Sequence, residues 1–323
     1  MYVKLIVFRD NNIYMELINS LNRIDRPFKN AVITIGNFDG VHIGHQALFH
    51  EVIEKAEEID GTSIAMTFNP HPLRVLSHNK TLSLITLDDH KLELISASGI
   101  DVLIRIPFTH EFAAMTAMSF VDNLVKRVGM KAIITGNDYT FGRNREGNVD
   151  LLKSLGQEMG FEVMVSDWIK ASSAKPGRIS STQIRELIAK GKVASAKKLL
   201  GRFYQVRGTV VSGRNRGGKL LGFPTANMVL QDELCPKAGV YAVTVECIDR
   251  QFMGVANIGY SPTFSDNIFT VEVHILDFHN DIYGKNIRVN FVKRIRDEIK
   301  FSGISELSEQ IRKDIAYARG VLS

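Results

Sequence analysis

The sequence predicts an α/β domain built on a parallel sheet, followed by an all-β domain that closes as an antiparallel barrel or sandwich and ends in a helix. Three observations predict it. Over residues 31–168, short apolar runs rich in β-branched residues alternate with helical periods, as in a parallel sheet covered on both faces. From Tyr204 the helical periods stop, and strand-like runs follow one another with turn signals between them, which argues antiparallel pairing. The chain has 323 residues, about two domains at roughly 150 residues each.

The elements follow in chain order. AVITI from Ala31, SIAMTF from Ser63, DVLIRI from Asp101, KAIIT from Lys131 and EVMV from Glu162 read as strands. Leu48, Val52, Ile53, Ala56 and Ile59 fall on one face of a helix. Leu87, Leu92, Leu94 and Ile95 mark a second, Phe120, Leu124 and Val128 a third, and Leu151, Leu152 and Leu155 a fourth. In the second half QVRGTVVSG, GVYAVTVECID, FMGVANIG, TVEVHILDF and NIRVNFVKRI read as strands, and ISELSEQIRKDIAYARGVL from Ile304 as the closing helix. Between the halves, IRELIAKGKVASAKKLLGR is a lysine-rich helical stretch interrupted at Gly191. Taken as a linker, it puts the boundary near residue 200 and the domains at 1–200 and 201–323.

Hydrophobic residues make up 45% and charged residues 23%, which excludes disordered and fibrous classes. Lys and Arg number 40 against 35 Asp and Glu, a net +5. That suits anionic ligands and is too diffuse to argue for nucleic acid. The two cysteines form no CxxC, as expected of a reducing compartment. The N-terminal apolar run is broken by Lys4 and Arg9, and no apolar run approaches a membrane-spanning length. The expectation is a cytoplasmic protein.

The sharpest motif is GNFDGVHIGHQ, residues 36–46, between the first strand and the first helix. His42 and His45 are three apart and share a helical face. They lie in the first turn, where backbone N–H groups and the helix dipole attract anions. Gly36, Gly40 and Gly44 leave room for close backbone approach. Two imidazoles at a helix N-terminus make a clamp for a nucleoside triphosphate attacked at its α-phosphorus. For a lone HxGH, a tight turn with a His near the cap is the plainer alternative. A zinc site lacks accompanying Cys or an HExxH pattern.

Three loops extend this region. In TFNPHP, Asn69 is either a turn former or a side chain aimed at the site. In GNDYTFGRNREGN, Asp138 suits a ribose or ring edge, and Arg143 and Arg145 suit phosphate. In RISSTQIRE, Ser180 and Gln183 have capping-box spacing, and Ser181, Thr182 and Arg185 in the same turn make a second anion site.

The second half holds SGRNRGGKLLGFPTAN, residues 212–227. Gly213, Gly218 and Lys219 fit G-x-x-x-x-G-K, but Leu220 stands where a hydroxyl is needed. Gly222 and Pro224 follow where a helix would start. A basic, glycine-rich phosphate loop remains. Thr225 and Asn227 are two apart, so in extended chain they face one way and offer neutral oxygens to magnesium; an ordinary proline turn is the alternative. In TVEVHILDF, Glu272 is either a general base for a hydroxyl or part of a solvated strand face. His274 shares that face and is the less favoured base.

Together, GxFDGVHxGHQ, FNPHP, GxDYxFGxxxxG and ISSTxIR resemble the adenylyltransferase module of the bacterial bifunctional riboflavin kinase/FMN adenylyltransferase family. The glycine-rich loop, GFPTAN, GVY, NIGxxPTF, ExHxLDF and RIRDEIKF resemble its riboflavin kinase module. The similarity runs from about Asn30 to Ile315. It implies a Rossmann-like nucleotidyltransferase domain with a parallel sheet, then a six-stranded Greek-key barrel with a C-terminal helix. It implies that His42 and His45 contact ATP phosphates at a site formed with Gly36, Phe38, Asp39 and Gly44. Asn69, Ser181, Thr182 and Arg185 would hold substrate and the leaving pyrophosphate, with Asn137 and Asp138 near nucleotide or flavin. In the second module Gly213, Gly218, Lys219, Gly222 and Pro224 would border ATP, and Thr225 and Asn227 would bind magnesium-ATP. Glu272 would activate the ribityl 5′-hydroxyl, with Arg296 and Phe301 in a mobile flap near flavin.

The implied chemistry is riboflavin to FMN, then FMN to FAD with release of pyrophosphate. Mg2+ would accompany ATP, and FMN and FAD would be substrates and products rather than prosthetic groups. The expected partners are ATP, riboflavin and FMN, with no nucleic acid and no membrane, in a monomer or weak homo-oligomer. Two readings stand against this: another HxGH transferase fused to an unrelated barrel, and a nucleic-acid-binding protein.

Overall fold

The computed structural model describes residues 15–77, 82–166, 179–211, 222–230, 233–260 and 269–323. The chain forms two compact units, Met1–Leu82 with Leu87–Ser180 and Ser83–Thr86 with Ser181–Ser323.

The first unit is an α/β layer structure. Strands β1 (Glu16–Ile18), β2 (Ala31–Ile35), β3 (Thr62–Asn69), β4 (Val102–Pro107), β5 (Met130–Thr135) and β6 (Glu162–Val165) form one sheet. Its order is β1-β4-β3-β2-β5-β6 and every pairing is parallel. Helices α1 (Ile43–Glu58), α2 (Pro72–Leu76), α3 (Asp88–Ser96), α4 (His110–Ala113), α5 (Ala117–Asn123) and α6 (Val149–Met159) accompany it. Side chains alternate along each strand, so the continuous apolar runs feed two cores. Ile33, Ile64, Met66, Ile104 and Ile133 meet Phe120, Leu124, Leu152 and Leu155 on one face. Val32, Ala65, Leu103, Ala132 and Ile134 meet Leu48, Phe49, Val52, Leu92 and Ile95 on the other. The sheet order turns back between β2 and β5, and ligands of such sheets bind there, beyond the strand carboxyl ends. The turn from β2 into α1 leaves the sheet at this place.

Strand β1 was not legible in the sequence. Its register, Glu16↔Val102 to Ile18↔Ile104, adds a parallel strand outside β4, but three residues are too few to show a period.

The second unit begins with α7 (Ser181–Ala189) and α8 (Val193–Leu200). It continues with β7 (Tyr204–Val211), β8 (Ala226–Val229), β9 (Gly239–Cys247), β10 (Arg250–Tyr260), β11 (Phe269–Ile275), β12 (Asn286–Arg296) and α9 (Ile304–Leu322). The strands close into an antiparallel barrel, β10-β11-β8-β7-β12-β9, which decides between the barrel and the sandwich. Sequential strands β8 and β9 are not neighbours, nor are β11 and β12, as in a Greek key. Val206, Met228, Val243, Val245, Ala256, Ile258, Val271, Val273, Val289 and Phe291 are fully buried and fill the interior. Helix α9 packs outside, across β9, β10 and β12.

The helical stretch 181–200, taken from the sequence as the end of the first domain, packs within the second unit. Its apolar face, Ile184, Ile188, Val193, Ala196 and Leu200, is fully buried, with α8 against β7 and β12. Gly191 turns the chain between the two helices at φ +72°, and a Cβ there would come within 2.6 Å of Arg294.

Candidate active sites

In the first unit the turn from β2 to α1 is tightly determined. Phe38 (φ +48°), Gly40 (φ +86°) and Val41 (φ +37°) all occupy left-handed backbone, which is costly for a β-branched residue. The surroundings hold it. Val41 N–H donates to the Phe38 carbonyl at 3.1 Å, and Gln46 Nε2 donates to the Val41 carbonyl at 2.8 Å. The buried Phe38 ring meets His45 and Phe49 edge-on, at 5.2 and 4.9 Å. Gly36 is required by that ring, since a Cβ there would lie 2.7 Å from it.

His42 caps α1, its Nδ1 accepting from the His45 N–H at 3.3 Å. Accepting at Nδ1 places the proton of the neutral ring on Nε2. The two imidazoles are stacked, 3.6 Å between centroids and 16° apart in plane. Donor edges and a positive helix terminus are thereby gathered at one spot.

Asn69 ends β3, next to β2 in the sheet, and is exposed. Asn137 and Asp138, also exposed, follow β5, the neighbour on the other side. Their loop is pinned where Phe141 and Gly147 exchange backbone hydrogen bonds of 3.0 and 2.9 Å. Tyr139 stacks on Phe141 at 5.5 Å, and burial pushes its phenol well above the usual tyrosine range. Thus His42, His45, Asn69, Asn137 and Asp138 stand at the carboxyl ends of three adjacent strands. Arg143 is half exposed beside Glu146, 3.8 Å away. Sequence reasoning missed Lys91 and Thr67, which are buried at the same end of the sheet.

Ser181, Thr182 and Arg185 open α7 in the second unit, and Arg185 Nε donates to the Ser83 carbonyl at 3.3 Å. Gly213, Gly218 and Lys219 lie outside the described residues.

The barrel assembles a second site on its outer wall. Register puts Glu272 opposite Asn227 on β8 and opposite Asn257 on β10, so the three side chains share one face. Asn227 Nδ2 donates to the Thr225 carbonyl at 3.3 Å, which leaves Oδ1 as the presented atom. The His274 ring meets the Pro224 carbonyl at 2.8 Å. A carbonyl only accepts, so Nδ1 donates there and braces the Pro224–Thr225 segment. A cavity of about 420 Å³ is lined by Thr225, Asn257, Glu272, Arg296 and Phe301, with α9 contributing Ile311 and Asp314. A second, of about 360 Å³, is lined by Val210, Pro224, Thr225, Phe278 and Tyr283. Thr225 belongs to both. Gly222, exposed at φ +75°, leads into this segment.

Arg296 and Phe301 do line the cavity, with the guanidinium 5.8 Å from the ring. Arg296 also grips both carboxylate oxygens of Asp314 at 2.7 to 3.0 Å. The Asp314 side chain is 3% exposed. Asn257 opens the NIGxxPTF motif, but only strand register shows that it faces Glu272; Asp314 had no sequence signal of its own, because only the docking of α9 brings it to the cavity. Among the described residues no group of three or more His, Cys, Asp and Glu is arranged to hold a metal ion.

Two family models match the chain. FAD synthetase matches residues 25–183 and riboflavin kinase matches residues 200–322. A bifunctional riboflavin kinase/FMN adenylyltransferase of Escherichia coli (strain K12) is 38% identical over 308 residues, 94% of this chain and 97% of that protein. The protein of the same description from Listeria monocytogenes is 40% identical over 293 residues, covering 88% and 90%. A crystal structure from Streptococcus pneumoniae, described as a macrolide-efflux protein, matches with TM-score 0.86 at 33% identity, covering 94% of this chain and 98% of that one. Among the described residues no helix is long and apolar enough to cross a membrane.

Proposed function

This chain belongs to the bifunctional riboflavin kinase/FMN adenylyltransferase family, and on that premise we propose how its two activities are divided among its residues. It is an enzyme that phosphorylates riboflavin to FMN and transfers AMP from ATP to FMN, giving FAD and pyrophosphate. The observation that carries the division is that the His42–His45 pair and Glu272 belong to different compact units.

For adenylyl transfer, His42 and His45 donate to the triphosphate while the FMN phosphate attacks the α-phosphorus. Gly36, Phe38, Asp39 and Gly44 shape the turn that receives it. Asn69, Asn137 and Asp138 orient nucleotide and flavin. Positioning and charge stabilisation suffice, with no covalent enzyme intermediate.

For riboflavin phosphorylation, Glu272 takes the proton of the ribityl 5′-hydroxyl as it attacks the γ-phosphorus. Asn257 orients that carboxylate, and Arg296 and Phe301 wall the riboflavin side of the larger cavity. Gly213, Gly218, Lys219, Gly222 and Pro224 border the phosphates of ATP. Thr225 and Asn227 offer neutral oxygens, a donor set that suits Mg2+ shared with phosphate. The ion would neutralise developing charge between the phosphates.

The domains are assigned by function as 1–200 and 201–323, in a cytoplasmic monomer or weak homo-oligomer. The test of the whole reading is chromatography of flavins after incubation with ATP and Mg2+. His42→Ala should lower FAD formation from FMN by at least about a hundredfold and spare FMN formation. Glu272→Gln should do the reverse. Loss of both activities in either folded variant defeats the division.

A further inference from the structure

Close to the turn that carries the histidine pair lies a lysine largely withdrawn from water. Lys91, on α3, is 8% exposed. Its ammonium stands 3.4 Å from Thr67 Oγ1 on β3 and 3.7 Å from Asp88 Oδ1 on its own helix. Thr67 Oγ1 donates to the Asn37 carbonyl at 3.2 Å, so the hydroxyl proton is committed and the lone pairs accept from the ammonium. Asp39, 3% exposed in the same turn, attracts the ammonium electrostatically. Arg105 on β4 opposes it, pairs with the other oxygen of Asp88 and donates to Asn19 Oδ1 at 2.9 Å. The connection runs from α3 through Thr67, two residues before Asn69, to Asn37, five residues before His42. Withdrawing an ammonium from water is expensive, and here it is spent joining two loops that both carry site residues.

We propose that Lys91 is a positioning residue for adenylyl transfer, tying the end of β3 to the 37–39 turn so that Asn69 and the His42–His45 pair keep their spacing. The inference rests on the reading of that pair as the adenylyl-transfer site. It also has a pH consequence. Desolvation lowers the Lys91 pKa below the ordinary lysine value, Arg105 lowers it further, and Asp88 and Asp39 work against both. The charge is therefore lost earlier on the alkaline side than in a surface lysine, and transfer should decline with it.

The test compares full-length wild type, Lys91→Met, Lys91→Arg and His42→Ala. Lys91→Met should lower kcat for FMN adenylylation by about tenfold or more, with KM values held within about threefold. Riboflavin phosphorylation should be unchanged. Thermal stability of the first unit should fall, because the Asp88 and Asp39 carboxylates lose their buried cationic partner. Lys91→Arg should retain activity and move the basic limb of the kcat profile to higher pH, since guanidinium stays charged.

Wild-type kcat in Lys91→Met overturns the proposal. So does an unmoved basic limb in Lys91→Arg, the readout that a purely structural role would leave unchanged. His42→Ala separates the two levels. If it keeps transferring AMP, the site reading itself fails; if it is inactive while Lys91→Met is fully active, only the role of Lys91 fails.

Discussion

Glu272 stands between Asn227 and Asn257 on neighbouring strands, and those partners are what the sequence alone could not supply. The alternation of Val271, Val273 and Ile275 with Thr270, Glu272 and His274 told which side chains leave the barrel interior. It left open whether that face was solvated; in the structure Glu272 lines a cavity to which α9 contributes Leu307, Ile311 and Asp314. The His42–His45 pair was more legible, because three-residue spacing at a helix start fixes a shared face without help from distant chain. Arg296 could be placed by its motif, but its clasp on Asp314 could not, since the two are 18 residues apart on different elements. Asp314→Asn removes the carboxylate charge that a mostly buried guanidinium relies on. Breaking such a pair costs about 3–5 kcal/mol. The expected outcome is a raised KM for riboflavin and a lowered melting temperature of the barrel, with FAD formation from supplied FMN retained. Steady-state kinetics of both half-reactions checks it.

Among the elements, those with several turns of periodic burial were readable, and those that depend on remote partners were not. Helices α1 and α6 show their apolar faces in the sequence, and each strand of the first sheet from β2 to β6 was anticipated as an apolar run. Strand β1 and strand β8 span three and four residues, and both are held by register with partners far along the chain. The α7–α8 pair was readable as helical, but its destination was not, because an amphipathic face does not say which core it joins. The turn before α1 offers a sharp test at this scale. Gly36→Ala puts a methyl 2.7 Å from the Phe38 ring, which must move, and Phe38 packs against His45. Adenylyl transfer should fall by about ten- to a hundredfold with unchanged riboflavin phosphorylation. A variant with normal FAD synthesis would show that the ring does not set the position of His45.

For the whole molecule, two compact units, each with its own buried interior, predict two separable failures. Leu103, on β4, and Phe291, on β12, are both fully buried. Truncating such side chains costs about 2–5 kcal/mol. Leu103→Ala should lower the temperature at which FAD formation is lost and leave the midpoint for riboflavin phosphorylation within a few degrees of wild type. Phe291→Ala should invert that order. Residual activities after graded heating measure both, and coincident loss in either variant would mean that the two units unfold as one.

The closure of the barrel has a further consequence, for behaviour in a crowded solution. A closed ring of six strands gives each strand a neighbour on both sides, so among the described residues the barrel has no outermost strand. The outermost strands of the open sheet, among the described residues, are β1 with three residues and β6 with four. Templates that short recruit foreign strands poorly. Among the described residues the topology therefore limits edge-to-edge association of the folded chain, and the barrel strands are most open to it before the ring has shut.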